Sequence, residues 1–140
     1  MSDLATVPPG FTPHFRKSPL TDPWEPLYSR RTEAGLDLGL VIAAAHTNSR
    51  GFAHGGMISA LADNGMGLAC GPGLAEDASV ITVSLAVDFL GAGRIGQWLE
   101  VACRATRVGT TLCFAEAVAT ADGEPCARAH ATFRVIRKAA

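Results

Sequence analysis

The sequence predicts an α+β chain, an antiparallel sheet of about six strands wrapped around one long central helix. Three observations lead there. Residues 55–70 form an apolar run with no proline and no β-branched stretch, closed by Gly71-Pro72-Gly73, which reads as a helix with a strong stop. From about residue 81 onward hydrophobic residues recur at alternate positions, the period of a half-buried strand. Gly91-Ala92-Gly93, Gly109 and Asp122-Gly123 cut that second half into segments of hairpin length.

Taken in order, the chain opens with a Pro-rich arm. Six of its eight prolines (Pro8, Pro9, Pro13, Pro19, Pro23 and Pro26) precede residue 27. Proline fixes φ and removes a backbone donor, so residues 1–26 are expected to be irregular, with Phe11, Phe15 and Trp24 docking the arm on the domain or on a sister subunit. Residues 27–140 form the domain itself. Residues 27–42 are strand-like, broken by a turn at Glu33-Ala34-Gly35, and a loop follows over residues 45–53. The helix from Gly55 to about Cys70 is apolar nearly all round, hence buried. In the next strand Ile81, Val83, Leu85, Val87 and Phe89 are expected on one face, with Thr82, Ser84, Ala86 and Asp88 on the other. The remaining strands run from Leu99, from Leu112 to Thr120, and from about Cys126 to Ile136. One sheet covers such a helix on one side only, so the other side must be solvated or meet a second copy.

Composition narrows the function. The 140 residues suit one domain, and 48% are apolar, enough for a proper core. A net charge of −1 lacks the basic surplus that nucleic-acid binding requires. Cys70, Cys103, Cys113 and Cys126 show no C-x-x-C spacing, so no metal site is expected. Cys103, Cys113 and Cys126 read as small core hydrophobes. No apolar run is long enough to span a bilayer, and no signal peptide is visible. The expectation is a cytoplasmic protein without nucleic-acid or membrane partners.

The chemistry concentrates in Asn48-Ser49-Arg50-Gly51-Phe52-Ala53-His54-Gly55-Gly56 and in Asp63. Glycines permit close backbone approach, and a helix start offers free N–H groups to an anion. A lone carboxylate inside an apolar helix costs free energy unless it has partners or a task. Asp63 lies nine residues beyond His54, roughly 13 Å along the axis and about half a turn around it. One substrate carbonyl therefore cannot reach both on one helix. If both act, two helices must lie antiparallel across a two-fold axis, giving two equivalent shared sites. Asn48 also suits a turn, and Ser59, one turn before Asp63, is within reach of it. Arg104, Arg107, Arg128, Arg134 and Arg137 are candidates for phosphate contacts, against a plain solvated sheet face.

This element order, with Asn48, Gly51, His54, Gly55 and Gly56 followed by Asp63, Asn64 and Gly65, resembles the hotdog-fold thioesterases, and specifically the PaaI-like acyl-CoA thioesterases. The ending Val87-Asp88-Phe89-Leu90 resembles the family's strand after the helix. The likeness covers about residues 27–137. It implies a dimer whose two sheets run on into each other, often paired again into a tetramer, with an acyl-CoA at the subunit interface. It also implies that Asp63 acts on the thioester carbon or on water, as nucleophile or as general base. Asn48 and His54 would help hold the acyl group, with Gly56 and Asn64 beside them. Gly55 would donate its N–H to the thioester oxygen, and Thr82 would assist the attack. No cofactor is implied, CoA being part of the substrate. Three rivals stay open: an acyl-CoA binder without catalysis, an enoyl-CoA hydratase or dehydratase on the same fold, and a hydrolase of acyl groups on carrier protein.

Overall fold

A computed structural model describes residues 6–138 of the chain. Seven antiparallel strands, one α-helix and three single-turn 3-10 helices make up its regular structure. The strands are β1 (Thr12–Pro13), β2 (Tyr28–Arg31), β3 (Gly35–Val41), β4 (Ala78–Phe89), β5 (Trp98–Val108), β6 (Leu112–Ala121) and β7 (Glu124–Arg137). The helix α1 spans Gly55–Cys70, as its apolar run and Gly-Pro-Gly stop require. The spatial order is β1-β2-β3-β5-β6-β7-β4. The chain leaves β3 through α1 and returns as β4 at the far edge, so the helix must cross the face of the sheet. This is the hotdog architecture. The additional strand comes from the arm, where Thr12 and Pro13 pair with Ser29 and Tyr28. Among the described residues no helix is long and apolar enough to cross a membrane.

Small side chains let the helix sit close. Ala115, Ala117, Ala119 and Ala121 of β6 and Ala127, Ala129 and Ala131 of β7 are all buried beneath it. A Cβ on Gly65 would stand 2.5 Å from Cys103 Sγ and 3.1 Å from Leu38 Cδ1. Gly65→Val is accordingly expected to cost about 1–3 kcal/mol through overpacking, read as a lower midpoint in urea denaturation at unchanged m-value. Larger residues fill the rest: Leu36, Leu38, Leu40, Leu61, Met66, Leu99 and Phe133 are fully buried. The four cysteines are buried and unbridged, and burial pushes the Cys70 and Cys103 thiols up to about 12, so they pack as apolar groups.

The turns follow their residues. Asp122 (φ 47°) and Gly123 (φ 85°) are both left-handed, the geometry of a two-residue hairpin between β6 and β7. The arm is tied down unevenly. Phe11 is buried, edge-on to Trp98 with centroids 5.0 Å apart, and the Arg30 guanidinium lies 4.4 Å from the Phe11 centroid. Trp24 is half-buried against the core. Phe15 stays 55% exposed on the single chain.

The strict alternation expected in β4 is broken. Thr82 pairs with Phe133 but Ser84 pairs with Thr132, the next residue along β7. Val83 is therefore an extra residue, a β-bulge. Directly opposed residues share a face. Val80 and Thr82 before the bulge, and Leu85, Val87 and Phe89 after it, thus face the helix opposite Val135, Phe133, Ala131, Ala129 and Ala127. The expected grouping of Ile81 and Val83 with Leu85 is wrong for this reason, and Thr82 lies on the helix side.

Candidate active site

The bulge at Val83 has a direct consequence for Asp63. Thr82 Oγ1 donates a hydrogen bond of 2.7 Å to Asp63 Oδ1. In a regular ladder Thr82 and Leu85, three positions apart, would lie on opposite faces, since strand side chains alternate; the bulge puts both on the side of α1. Asp63 is half-buried and Thr82 exposed in the single chain. Both open on a cavity of about 390 Å³ that Asn64, Gly67, Val80 and Phe133 also line. A carboxylate that is accessible, oriented by a hydroxyl and open to a ligand-sized space suits a general base or a nucleophile.

The helix start forms a separate feature. His54 is the N-cap, its N–H donating to His46 C=O at 2.8 Å. Its Nδ1 accepts the Gly56 N–H at 2.8 Å, satisfying one of the orphan donors of the first turn. The Gly55 N–H has no partner among the described residues. Free, first in the helix and at the positive end of its dipole, it is placed to receive a developing oxyanion. A Cβ on Gly55 would lie 3.0 Å from the Phe89 ring, so the far end of β4 presses on the helix start. His54 and Gly56 line a cavity of about 470 Å³ with Leu20, Trp24, His46 and Met57. His46 is held there structurally: its Nε2 donates to Trp24 C=O at 2.8 Å and its Nδ1 accepts from Ala43 N–H at 2.9 Å.

The sequence-derived residues thus fall into two groups on one chain. Asp63, Asn64 and Thr82 come together at mid-helix, and His54, Gly55 and Gly56 at its N-terminus. Asn48 stands with neither. Its Oδ1 accepts from Arg50 N–H (2.9 Å) and Phe52 N–H (3.2 Å), an Asx turn that shapes the loop into the helix, helped by Gly51 at φ 79°. Ser59 Oγ donates to Gly55 C=O at 2.8 Å rather than to Asp63. Of the phosphate candidates, Arg104 pairs with Glu116, Arg128 with Asp88 and Arg137 with Asp77, all exposed.

Sequence reasoning missed the arm's part in both cavities. Phe15 and Arg16 of the arm, with Arg31 of β2, line the Asp63 cavity, and Leu20 and Trp24 the His54 cavity. The only signal was the presence of aromatic residues in a Pro-rich segment, and periodicity carries no information there.

Comparison with known proteins follows the same lines. The family model of the thioesterase superfamily matches residues 50–127, which include His54, Gly55, Asp63 and Thr82. The chain is 41% identical to "Putative esterase PA0474" of Pseudomonas aeruginosa over 115 residues, 81% of this chain and 86% of that protein. The structure of conserved protein PA5202 from Pseudomonas aeruginosa matches with a TM-score of 0.77 at 23% identity, covering 86% of this chain and 95% of that one. BH2602 protein from Bacillus halodurans, crystallised with CoA, matches with a TM-score of 0.72 at 25% identity over 79% of this chain and 74% of that one.

Proposed function

The chain belongs to the thioesterase superfamily and is a thioester hydrolase, and from that premise we propose that it hydrolyses an acyl-CoA to the free acid and CoA. The reading rests on the Asp63 carboxylate, which the Thr82 hydroxyl orients at 2.7 Å in an open cavity. The CoA crystallised with the similar BH2602 protein supports the thiol half of the substrate.

In this mechanism the thioester carbonyl oxygen points at the unpaired Gly55 N–H. Charge developing on that oxygen is met by the N–H and by the helix dipole. Asp63 removes a proton from water as it attacks, or attacks the carbonyl carbon itself to give a mixed anhydride that water then opens. Thr82 positions the carboxylate. CoA leaves as the thiol once it takes up a proton.

The two groups act on one carbonyl only across a dimer. Strand β4 supports that assembly. It is an edge strand of 12 residues, with Ile81 48%, Val83 59% and Phe89 53% exposed. A long apolar edge with unpaired backbone is a template for another strand. Pairing two copies of β4 antiparallel about a two-fold axis sets the two helices antiparallel. The Gly55 end of each then approaches Asp63 of the other.

Thr82→Val is expected to lower kcat by about tenfold, the worth of one hydrogen bond to a charged group, with Thr82→Ser restoring most of it. The function itself is tested by following thiol release from a panel of acyl-CoAs. Turnover of at least one of them is the expected result. Tight acyl-CoA binding without thiol release, or hydration of an enoyl-CoA without it, overturns the reading.

A further inference from the structure

The cavity that opens on Asp63 is also lined by two cations. Arg16 from the arm and Arg31 at the end of β2 both line it. The Arg31 guanidinium stands 5.5 Å from the Phe15 centroid, and its Nη1 donates to Leu68 C=O at 3.3 Å. Leu68 lies five residues beyond Asp63, about 7.5 Å further along the helix axis. Arg31 is therefore too far away to serve the reacting carbonyl.

Arg16 makes no hydrogen bond or ion pair among the described residues. The acids nearby do not neutralise these cations. Glu25 is taken by Lys17 at 3.1 Å and by the Leu27 N–H at 2.8 Å. Asp63 is oriented by Thr82. The buried His14 lies near the same charges: burial lowers its pKa, Glu25 raises it, and Lys17, Arg16 and Arg31 lower it. In a chain of net charge −1, this is a concentrated positive site facing a substrate cavity.

An aliphatic chain packed against these two arginines would strip water from guanidinium groups and return no hydrogen bond. An anion would accept the forked donors that Arg presents. We propose that Arg16 and Arg31 bind an anionic group at the far end of the acyl chain, so that the substrates are CoA thioesters of short dicarboxylic or similarly acidic acids. The inference rests on the acyl-CoA reading above and specifies its acyl half. A CoA phosphate offers related chemistry. The short separation from Asp63 along the helix favours the acyl end, since the CoA phosphates lie beyond the whole pantetheine arm.

Two non-hydrolysable thioethers of similar length, S-carboxybutyl-CoA and S-pentyl-CoA, test this by titration calorimetry. The wild-type protein is expected to bind the carboxylate-ended analogue at least about tenfold more tightly, as a charge-assisted hydrogen bond provides. Arg16→Gln and Arg31→Gln should each erase most of that preference, weakening S-carboxybutyl-CoA far more than S-pentyl-CoA. The same ratio is expected in kcat/KM for adipyl-CoA against hexanoyl-CoA. Arg16→Gln is the cleaner variant because Arg16, unlike Arg31, holds no backbone carbonyl among the described residues. Equal binding of the two analogues by the wild type overturns the proposal. So does an equal loss on both esters in the variants. A loss on all CoA esters that spares N-acetylcysteamine thioesters assigns the cations to a CoA phosphate and overturns it too. If no acyl-CoA is turned over, the hydrolase reading falls, while the binding comparison still decides whether an acyl-end anion is recognised.

Discussion

Asp63→Asn is expected to lower kcat for thiol release by about a thousandfold, within the range that loss of a general base or nucleophile produces. The substitution isolates the chemistry. Asn has the shape of Asp, and its Oδ1 can still accept the Thr82 hydroxyl that now bonds Asp63 at 2.7 Å. Position and packing are preserved, and only charge and basicity are lost. The circular dichroism spectrum, thermal midpoint and elution volume should therefore match the wild type. A variant that keeps more than about a tenth of the activity would remove Asp63 from the chemical step. A single turnover in isotopically labelled water tests the covalent role of the carboxylate. Label entering the Asp63 side chain marks an anhydride that water opens at the Asp63 carbonyl, and label confined to the product acid excludes that path.

Mixing two inactive variants should recover activity, the second large effect expected. Asp63→Asn lacks the carboxylate, and Gly55→Pro lacks the donor. Proline is tolerated at the first position of a helix, where the N–H has no intrahelical partner. The preceding His54, at φ −69° and ψ 132°, already has the extended conformation that a following proline demands. The Cβ that proline adds meets the side chain of Phe89, not backbone. Gly55→Pro alone is expected to lose about 100-fold or more in kcat, as loss of one oxyanion donor does. In a mixed dimer one site joins two defective halves and the other joins two intact halves. Random exchange of equal amounts should thus return about a quarter of wild-type activity. No recovery, with exchange verified by differently tagged subunits, would rule out a site shared between protomers.

Much of this arrangement could be read from the chain before any coordinates. The helix bounds follow from an uninterrupted apolar run and a Gly-Pro-Gly stop, and the β6–β7 hairpin from Asp122-Gly123. The pairing of His54-Gly55-Gly56 with Asp63 pointed to two half-sites on one helix, too far apart to share one carbonyl. Thr82 is the instructive failure. Period-two counting put it on the wrong face because one residue, Val83, is left out of the ladder with β7. A bulge changes backbone pairing without leaving a mark in a run of Val, Ile, Thr and Ser. Asn48 shows the same limit. Its side chain suits a turn and a ligand contact equally well in sequence, and the fold commits its oxygen to the turn. Arg16 and Arg31 were invisible as a pair because 15 positions separate them, and only the arm's path along the edge of the sheet brings both to the Asp63 cavity.

The sequence by itself determined the local elements, the small-residue interior and the chemical identity of the groups on α1, because helical period, strand alternation and turn chemistry act over a few neighbouring residues. Tertiary structure alone decided which side of β4 faces the helix, what orients Asp63, and which cations share its cavity. Those outcomes depend on strand register and on the route of the arm, which are set by contacts between residues far apart along the chain.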